Sequence, residues 1–441
     1  MFLSRERGLW PRSILYLILL SVFFFSSYGL ANWYTSLRSD VGIIVFAWEQ
    51  FIPLWPWTII PYWSIDLFYG LAILIAPTVF ELNNLVKRLF SAQVLCICCF
   101  LIWPLMFSLE RPPLDGYSGA LFDLLMGFDK PFNQAPSLHI TLLVILWVFY
   151  AKYLKGIGLW LLHIWFILIG VSVLTTWQHH FFDIPTGLLA GAFCIWLWPE
   201  QKTSLFYPCR YPKQWRWALV YVICTIVSIV MIIMIGANAI WLLWLALSLA
   251  ITALNYSFIG ARGFQKQQNG HFTFVVGSLL LPYRLIMWLN SRLWTWHDDK
   301  FNRISHNLYL GRIPGRNTLK NNHFNTIIDL CAELSMPLYN GNYTLIPVLD
   351  MTTPSLDDCQ KGVDAINKGM MTGNVLVCCA LGYSRSATII LAWLLSNGIA
   401  KQLDDAIKIL KKARPHSVIN DRQLEVLTQW VILLHDKDNR H

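Results

Sequence analysis

Long apolar segments with few charges fill about the first 260 residues of this chain and constrain its fold more than any other feature. A helix needs about 20 predominantly apolar residues to cross a bilayer, and eight segments approach that length. They cover 13–30, 63–80, 92–107, 137–154, 157–174, 184–199, 217–235 and 239–259. Hydrophobic residues make up 56% of the 441 residues and charged residues 13%. We therefore expect a polytopic α-helical membrane domain of about eight spans.

The positive charges of this region predict how it is oriented. They fall between alternate apolar segments, at Arg5, Arg7, Arg12, Lys87, Arg88, Lys152, Lys155, Lys202, Arg210, Lys213, Arg216, Arg262 and Lys266. The positive-inside rule places these loops in the cytoplasm. The first segment lacks a small-residue cleavage site, so we interpret it as a retained anchor rather than a removed signal. The same loops account for the net charge of +9, and no basic stripe with interleaved aromatic residues indicates nucleic-acid binding.

The segment 272–296 is apolar but is interrupted by Pro282, Arg284 and Arg292. We interpret it as an interfacial amphipathic helix rather than a ninth span, which would move the rest of the chain across the membrane. From about residue 300 charges become frequent, which predicts a soluble domain. The expected parts are an N-terminal anchor and extracytoplasmic loop (1–59), a membrane core (60–200), additional transmembrane helices with the interfacial helix (201–299), and a soluble α/β domain (300–441).

Three polar fragments, at 108–116, 134–140 and 175–187, fall on the extracytoplasmic side of this topology. His179 and Asp183 are four residues apart, so on one helical face the carboxylate can hold a ring N–H of the imidazole. Such a pair is typical of an oriented nucleophilic histidine. Proline suits the first turn of a helix, so the proline of the second fragment would place a histidine beside a helix N-terminus, where phosphate binds well.

These fragments resemble the type 2 phosphatidic acid phosphatase superfamily of membrane enzymes over roughly residues 60–200. The resemblance implies phosphate-binding and catalytic roles for Arg111, Ser137, His139, His179 and Asp183. Arg111 and Ser137 would bind the phosphate, His139 would protonate the leaving group, His179 would attack phosphorus and Asp183 would orient it. The family's lysine, glycine and second arginine are replaced by Pro104, Leu138 and Val173. A phosphatase, a lipid phosphotransferase and an inactive anchor therefore all stay open for this half.

The residues after 300 alternate between short apolar runs and helical patterns, which predicts an α/β domain. Expected strands lie within 304–315, 324–333, 343–351 and 374–380, and expected helices cover 355–370, 385–397 and 403–415. Ser355 is a suitable N-cap for the first of these helices. Lys408, Lys411, Lys412 and Arg414 are expected on a solvated helix face, with anionic headgroups as the alternative partner.

The stretch "VCCALGYSRSATII" at 377–390 carries the clearest chemical signal. A strand ends at Cys379, and Arg385 opens a helix after a five-residue loop. The loop amides and the helix dipole converge on one anion, and that field favours a thiolate over a thiol. Arg385 can bind two phosphate oxygens, and Ser386 can donate a hydrogen bond to the sulfur. This arrangement predicts a phosphate cradle with a nucleophilic cysteine.

Together with "LYLGRIP" and "AIKILKKARP", this stretch resembles the dual-specificity branch of the cysteine-dependent phosphatases over about 303–432. The resemblance implies a cysteinyl-phosphate intermediate on Cys379 and a general acid at Asp350. It also implies that substrate phosphate is bound by the loop residues Ala380, Leu381, Gly382, Tyr383 and Ser384. Asp357 and Asp358 are weaker acid candidates and are interpreted as helix N-terminal charges.

Cys378 stands where the family has a histidine, so the loop is expected to be tuned rather than inactivated. A reversible disulfide between the two adjacent cysteines is an alternative, although it would be strained. The rival that only binds phosphorylated ligands would be expected to lack Cys379, Arg385 or Asp350, and the chain has all three. A reactive thiol survives best in a reducing compartment, which agrees with a cytoplasmic C-terminal domain.

The expected function is a membrane-bound phosphatase that hydrolyses phosphomonoesters of phospholipids or their precursors, without a metal or other cofactor. The ten cysteines show no paired metal-ligand spacing. The two-domain layout resembles that of a bacterial inner-membrane protein. The alternatives are a protein tyrosine/serine phosphatase held on a membrane anchor, and a lipid phosphotransferase. The pattern does not specify the substrate or the oligomeric state.

Overall fold

The computed structural model describes residues 5–200, 205 and 214–438. By packing, the chain divides into two units. The first unit comprises Met1–Leu205 and Met231–Trp244, and the second comprises Phe206–Val230 and Leu245–His441. The loop cations Lys202, Arg210 and Lys213 lie outside the described residues. The four-part division of the sequence stays a prediction.

Six helical segments in the described part of the chain are long and apolar enough to cross a membrane, by length and composition. They are Leu9–Ser36, Pro56–Ile75, Val79–Ile102, Gly156–Thr175, Trp215–Ile235 and Trp241–Ile259. The other two predicted spans form the shorter apolar helices Leu138–Ala151 and Asp183–Leu197. The chain therefore has several apolar helices of membrane length, whereas the number eight stays a prediction.

The predicted boundary between the second and third spans is wrong. Lys87 and Arg88 were expected in a loop, but they lie inside the helix Val79–Ile102. This helix begins directly after Thr78, whose side chain accepts a hydrogen bond from the amide of Glu81 and so caps it. Arg88 is buried and donates from Nε and Nη2 to the carbonyl of Trp198 at 2.9 and 2.7 Å. Two adjacent charges predicted a loop, but a buried arginine can lie within a helix when a carbonyl accepts its hydrogen bonds and a carboxylate, here Glu200 Oε1 at 3.7 Å, is near.

The helices of the described chain, numbered α1 to α16, are bounded as follows. In the first two-thirds of the chain they are α1 (Leu9–Ser36), α2 (Ile59–Ile75), α3 (Val79–Ile102), α4 (Gly116–Phe128), α5 (Leu138–Ala151), α6 (Gly156–Thr175), α7 (Asp183–Leu197), α8 (Trp215–Ile235), α9 (Trp241–Leu254), α10 (Phe274–Leu279) and α11 (Leu281–Trp294). In the last third they are α12 (Arg316–Asn321), α13 (Leu356–Met370), α14 (Arg385–Ser396), α15 (Leu403–Ala413) and α16 (Asp421–Asp438).

Helices α5 and α7 form the closest helix pair of the first unit. Gly187 and Gly191 of α7 face α5, where an added Cβ would come within 2.8 Å of the carbonyl oxygens of Ser137 and Thr141 respectively. Small residues at such an interface let two helix backbones approach in an apolar environment. This contact brings the start of α5 beside the start of α7, where the predicted histidine site lies.

The segment 272–296 forms two helices, α10 and α11, rather than one, and neither reaches the length of a span. Pro282 lies in the first turn of α11, where its missing N–H costs no helical hydrogen bond. One face of α11 is buried through Tyr283 and Met287, while Leu289 and Leu293 are 51% and 70% exposed. A helix with this division of apolar residues suits an interface better than a membrane interior.

The second unit contains a five-stranded sheet in the order β1-β2-β5-β3-β4. The strands are β1 (Phe301–Ser305), β2 (Leu308–Arg312), β3 (Thr326–Cys331), β4 (Asn342–Val348) and β5 (Val375–Cys379). β1 pairs antiparallel with β2, and the other pairs are parallel. The hairpin partner β1 was not predicted, whereas β2, β3 and β5 lie within the predicted segments and β4 begins one residue before its segment.

β5 is the central strand, and all five of its residues are buried. Val377 pairs with Leu310 of β2 on one side and with Ile328 of β3 on the other. Helix α14 is buried from Arg385 through Leu395 and packs against this sheet together with α13, and α16 packs against α14. Because the parallel strands end at the same edge, the loops that follow β2, β3, β4 and β5 meet there.

Candidate active site

The loop between β5 and α14 wraps around the sulfur of Cys379. The backbone N–H of Gly382 and the hydroxyl of Ser386 each donate to Cys379 Sγ at 3.2 Å. The cysteine is only 2% exposed and ends the central strand. Two donors from the loop and the first turn of α14 therefore meet at one sulfur atom. The structure thus places the predicted nucleophile and the predicted hydroxyl donor in contact.

Gly382 gives the loop its tight curvature. Its φ of +76° lies in the left-handed region that glycine tolerates best. A Cβ at this position would lie 2.3 Å from the carbonyl carbon of Gly311 in β2. Both the backbone angle and the close approach therefore require glycine here. The other predicted phosphate-binding residues, Ala380, Leu381, Tyr383 and Ser384, complete the same loop.

Arg385 is buried in a network of oxygen acceptors. Its guanidinium donates to both carboxylate oxygens of Glu333, from Nη2 to Oε1 at 2.7 Å and from Nη1 to Oε2 at 3.1 Å. It also donates to the carbonyl of Val348 at 2.8 Å and pairs with Asp350 Oδ1 at 2.9 Å. The guanidinium of Arg385 is therefore held by Glu333, and Asp350 forms a second ion pair with the same group.

The pKa values of the two carboxylates around Arg385 are shifted in opposite directions. Burial opposes the charge on Glu333, but the Arg385 charge and its hydrogen bonds hold the pKa of Glu333 below its ordinary value. Burial dominates at Asp350, and the nearby Glu333 charge adds to it, so the pKa of Asp350 is raised although Arg385 opposes this. Carboxylates with divergent pKa values typically divide into a charged partner and a proton donor.

Glu333 was missed by the sequence reasoning. It lies two residues after β3, and it is fully buried. The available signal was a charged residue at the end of 324–333, a segment predicted to be a buried strand, because an acid in that position needs a buried cation. Arg385 is that cation.

Side chains from outside the loop hold its outer carbonyls in place. Ser291 of α11 donates to the carbonyl of Ala380 at 2.6 Å, and Arg414 donates to the carbonyl of Leu381 at 3.0 Å. Arg414 is 1% exposed. The expectation of a solvent-facing or headgroup-facing Arg414 is therefore wrong, because the loop supplies the acceptor that allows its burial.

The remaining sequence expectations for this domain are met by ordinary structural roles. Ser355 and Asp358 form a capping box at the start of α13, and Asp357 pairs with Lys361 at 2.6 Å on the surface. Cys378 is a free, buried thiol on the strand face opposite to Cys379, as alternation along a strand requires. No disulfide joins the two cysteines.

The loop that carries Asp350 is attached to the end of helix α9. This helix continues as a π-helical turn over Asn255–Ile259, and the hydroxyl of Tyr256 donates to the carbonyl of Asp350 at 3.0 Å. Lys266, which follows in sequence, pairs with Asp329 of β3 at 2.6 Å, and both side chains are buried. The segment after α9 therefore packs with the sheet and the phosphate loop within the second unit.

In the membrane half, three of the predicted residues form one hydrogen-bonded chain. His179 Nδ1 lies 3.0 Å from Asp183 Oδ2, and His179 Nε2 lies 3.1 Å from Ser137 Oγ. All three side chains are buried. His139 stacks on Tyr62 with ring centroids 4.2 Å apart, and its Nε2 has no hydrogen-bond partner among the described residues.

Arg111 does not join this chain through any described hydrogen bond. Its Nε and Nη2 donate to the backbone carbonyls of Thr176 and Trp177 at 3.2 and 3.1 Å. Its guanidinium also lies 4.3 Å from the centre of the Phe122 ring. The expected phosphate-binding cation is therefore engaged with neutral groups.

A second histidine pair in the membrane half was also missed. His180 Nδ1 lies 2.8 Å from Glu49 Oε2, and its Nε2 lies 3.1 Å from Ser108 Oγ. Glu49 lies in the short 3-10 helix Ala47–Phe51, 131 residues earlier, so spacing could not reveal it. Within 5–200, 205 and 214–438, no group of three or more His, Cys, Asp or Glu side chains is arranged to hold a metal.

Comparisons with known proteins concern the C-terminal domain. The family model described as "Dual specificity phosphatase, catalytic domain" matches residues 308–432. Dual specificity protein phosphatase 18 of Bos taurus is 31% identical over 145 residues, which are 32% of this chain and 77% of that protein. The Mus musculus protein "Phosphatidylglycerophosphatase and protein-tyrosine phosphatase 1" is 29% identical over 150 residues, which are 30% of this chain and 77% of that protein.

Other matches cover the same fraction of the chain. A dual-specificity phosphatase of Dictyostelium discoideum is 29% identical over 143 residues, and the chain spans only 35% of its length. Among solved structures, PTPMT1 in complex with PI(5)P is 24% identical with a TM-score of 0.30, covering 32% of this chain and 99% of that one. Human DUSP28 is 22% identical with a TM-score of 0.29, covering 31% and 97%.

Proposed function

Because the chain belongs to the dual-specificity phosphatase family and is a phosphoric monoester hydrolase, we propose that it hydrolyses phosphomonoesters of membrane phospholipids or their precursors. The reaction would proceed through a cysteinyl-phosphate on Cys379. The proposal places the C-terminal domain in the cytoplasm, at the inner membrane of a bacterium.

The attachment of the acid loop to a membrane-length helix carries this proposal. Tyr256 belongs to the apolar segment Trp241–Ile259, and its hydrogen bond to the Asp350 carbonyl is 3.0 Å long. The proposed proton donor is thus tied to the end of a helix that would lie at the bilayer surface. A phosphatase held there meets lipid substrates at a high effective concentration.

Helix α11 supports the same location. It contacts the phosphate loop through Ser291 and exposes Leu289, Leu293 and Trp294. Trp and Leu on the outer face of an amphipathic helix are typical of burial at a membrane interface. The name of the mouse relative, a phosphatidylglycerophosphatase, is consistent with a lipid phosphate as substrate.

In the proposed mechanism, the substrate phosphate displaces Asp350 from Arg385, which then binds two phosphate oxygens. The thiolate of Cys379 forms a bond to phosphorus while the bond from phosphorus to the leaving oxygen breaks. Asp350, whose pKa is raised by burial, gives a proton to that oxygen. Water then attacks the cysteinyl-phosphate, Asp350 accepts a proton from it, and the thiolate leaves with Ser386 hydrogen-bonded to the sulfur.

The test compares lipid and protein substrates with one enzyme preparation. Purified full-length protein would be assayed on vesicles that contain phosphatidic acid, phosphatidylglycerophosphate or phosphoinositides, and on a phosphotyrosine peptide. We expect a higher kcat/KM on at least one lipid than on the peptide, and loss of both activities in Cys379→Ser. Peptide hydrolysis without lipid hydrolysis would support the protein-phosphatase alternative instead.

A second proposed function concerns the membrane half, and the Ser137–His179–Asp183 chain favours it. An imidazole with one nitrogen held by a carboxylate presents the other nitrogen as a nucleophile. We propose a histidine-based phosphoryl transfer to water or to a lipid acceptor at this site. Phosphatidic acid radiolabelled in its phosphate should label His179 in the Cys379→Ser protein, and an added alcohol acceptor should shift the product from inorganic phosphate to an alkyl phosphomonoester if the site transfers the phosphoryl group rather than hydrolysing it.

A further inference from the structure

A groove of about 500 Å³ lies in the second unit between helix α11, the loop after β2 and the loop after β3. These elements contribute residues within 281–292, 313–316 and 334–338 to its walls. None of the phosphate-loop residues 380–384 lines it. Ligand sites usually have volumes of about 300–1,000 Å³. The groove is therefore a concave surface of suitable size that the proposed phosphatase reaction does not use.

Three arginines give this groove a positive charge that the protein does not neutralise. Arg284, Arg292 and Arg316 line it, and the described lining contains no aspartate or glutamate. Arg284 donates to a backbone carbonyl and to a serine hydroxyl, at 3.0 and 3.1 Å. Both terminal nitrogens of Arg292 donate to one backbone carbonyl at 3.3 Å. These acceptors are neutral, and none of the three arginines forms an ion pair within the described part of the chain.

The positive charge is costly in this position. Burial, together with the neighbouring guanidinium of Arg312, lowers the pKa of Arg292 to about 10. Burial also lowers the pKa of Arg284. A bound anion would offset this cost, because an opposite charge within about 4–6 Å favours the charged form of a group. Charge complementarity therefore favours an anionic occupant.

The same groove carries exposed apolar side chains. Leu285 and Trp288 of α11 and Leu338 of the loop after β3 line it, and all three are exposed. An inorganic anion or a soluble phosphate ester gains nothing from these side chains. An anionic group attached to hydrocarbon chains can contact both the arginines and the apolar residues. That combination is the composition of an anionic phospholipid.

Helix α11 is attached to two helices of membrane length, α8 and α9. The ring of Tyr283 packs against Tyr221 of α8 with centroids 5.7 Å apart. The backbone N–H of Tyr283 donates to the hydroxyl of Ser248 in α9 at 3.4 Å. A groove on a helix held in this way lies close to the bilayer that α8 and α9 would cross. This attachment favours a lipid over an acidic protein segment as the occupant.

The groove also adjoins the phosphate loop. Arg292 donates to the carbonyl of Ile313, and the N–H of Ile313 donates to the carbonyl of Cys379 at 2.7 Å. Ser291, the neighbour of Arg292, donates to the carbonyl of Ala380 at 2.6 Å. A headgroup bound in the groove would therefore hold the cysteine site next to the lipid surface.

We propose that this groove binds the phosphodiester headgroup of an anionic phospholipid that is not the substrate, with Arg292 and Arg316 on the phosphate and the acyl chains along Leu285, Trp288 and Leu338. The inference goes beyond the proposed function, because that function concerns phosphomonoesters at Cys379. It requires contact between the domain and a membrane, and it does not require hydrolysis of any lipid.

The test maps where an anionic lipid contacts the full-length protein. The protein is placed in phosphatidylcholine nanodiscs that contain a small fraction of phosphatidylglycerol with a photoactivatable diazirine in one acyl chain. Labelled peptides are identified by mass spectrometry after illumination. We expect label within 281–296 or 334–338, which excess unlabelled phosphatidylglycerol should remove. Phosphatidylcholine with the same diazirine is the control probe and should label these segments far less.

Arg316→Gln removes one charge of the groove without removing a hydrogen bond, because Arg316 is exposed and has none within the described residues. Labelling of the groove should fall about tenfold, as expected for loss of a charge-assisted hydrogen bond to phosphate. Arg292→Gln should lower it at least as much, and its melting temperature shows whether the fold is kept. Lys320→Gln, an exposed cation of the same helix α12 outside the lining, is the matched control and should keep wild-type labelling.

Four results would overturn the inference. Equal labelling by the two probes would show a membrane contact without recognition of the headgroup. Removal of the label by inorganic phosphate would show a site for free anions, and removal by soluble poly-glutamate would show a site for an acidic protein segment. Unchanged labelling in both arginine variants would exclude these residues from the contact. Phosphate release is measured separately in the same nanodiscs, so failure of the proposed function is distinguished from failure of this inference.

Discussion

The cysteine site and the histidine site of this chain differ in how their parts are assembled. At the cysteine site the nucleophile, the cradle and the cation lie within one loop that runs from Cys379 to Arg385. At the histidine site the groups come from separate loops and helix ends, and Arg111 is hydrogen-bonded to backbone carbonyls. A contiguous site keeps its geometry through local structure, whereas a dispersed site depends on how several helices pack.

Removal of the cysteine nucleophile should have the largest effect. Cys379→Ser should lower kcat for lipid phosphate by at least about 10³-fold, because a hydroxyl is a far weaker nucleophile than a thiolate in this cradle. Phosphate release from vesicles measures the effect. Cys378→Ser is the matched control, since Cys378 lies on the opposite face of β5, and it should retain most activity. A Cys379→Ser protein as active as wild type would make the histidine site the principal centre.

Loss of the proposed acid should have the next largest effect. Asp350→Asn should lower kcat for an alkyl phosphate by about 10²-fold, and much less for p-nitrophenyl phosphate, whose leaving group needs little protonation. Burial raises the pKa of Asp350, so its protonated form persists to higher pH than in a free aspartate. Wild-type kcat should therefore fall as pH rises through that raised pKa, and Asp350→Asn should lack this fall. An unchanged pH profile would assign the acid elsewhere.

Glu333→Gln tests whether a carboxylate must hold the cation. Removing one partner of a buried ion pair typically costs about 3–5 kcal/mol, and phosphate affinity should fall with the order of Arg385. The pKa of Glu333 is below its ordinary value. Its contribution to stability is therefore present above the unfolded-state pKa of about 4.3 and is lost as pH falls through the folded-state pKa. Chemical unfolding at several pH values measures this.

The control for this variant is an exposed ion pair. Asp357→Asn removes the surface partner of Lys361, and such pairs are worth about 0–1 kcal/mol. Its unfolding free energy should stay close to that of wild type. Equal losses in Glu333→Gln and Asp357→Asn would show that Arg385 is held in place by packing rather than by its carboxylate.

The smallest effect is expected at the histidine site in the otherwise unchanged protein. His179→Ala should change total phosphate release by less than about twofold, because the cysteine site supplies most of it. In the Cys379→Ser protein the same substitution should remove the remaining activity. Trp177→Ala, beside His179 but outside the Ser137–His179–Asp183 chain, is a control for local packing. A large loss of phosphate release in His179→Ala alone would show that the histidine site, and not the cysteine site, supplies most of the activity.

The local motif could be read from sequence because its geometry is set by neighbours in the chain. The strand, the loop and the helix start at Arg385 all lie where the pattern predicted. The contacts of Glu333 and Tyr256 could not be predicted in the same way, because only the tertiary fold brings these residues to the site. The hairpin strand β1 was missed for a related reason: its residues are only partly buried, so its pattern is weak.

In the membrane half, helix boundaries were harder to predict from the sequence than contacts between polar side chains. The spacing of His179 and Asp183 predicted their contact, because both lie within one turn. The start of α3 was misplaced, because hydropathy alone does not register that Arg88 donates to the carbonyl of Trp198. Length alone likewise does not decide whether the short helices α5 and α7 cross a bilayer.

The buried pair of Lys266 and Asp329 sets a practical limit on where the catalytic part can be cut from the chain. A recombinant fragment that begins at residue 300 would keep Asp329, which is fully buried, and discard the lysine that neutralises it. The same cut would remove Ser291 from the phosphate loop and Tyr256 from the acid loop. Such a fragment should express poorly and underestimate activity, so purification in detergent or nanodiscs with α8 and α9 retained is the sounder route to enzymology.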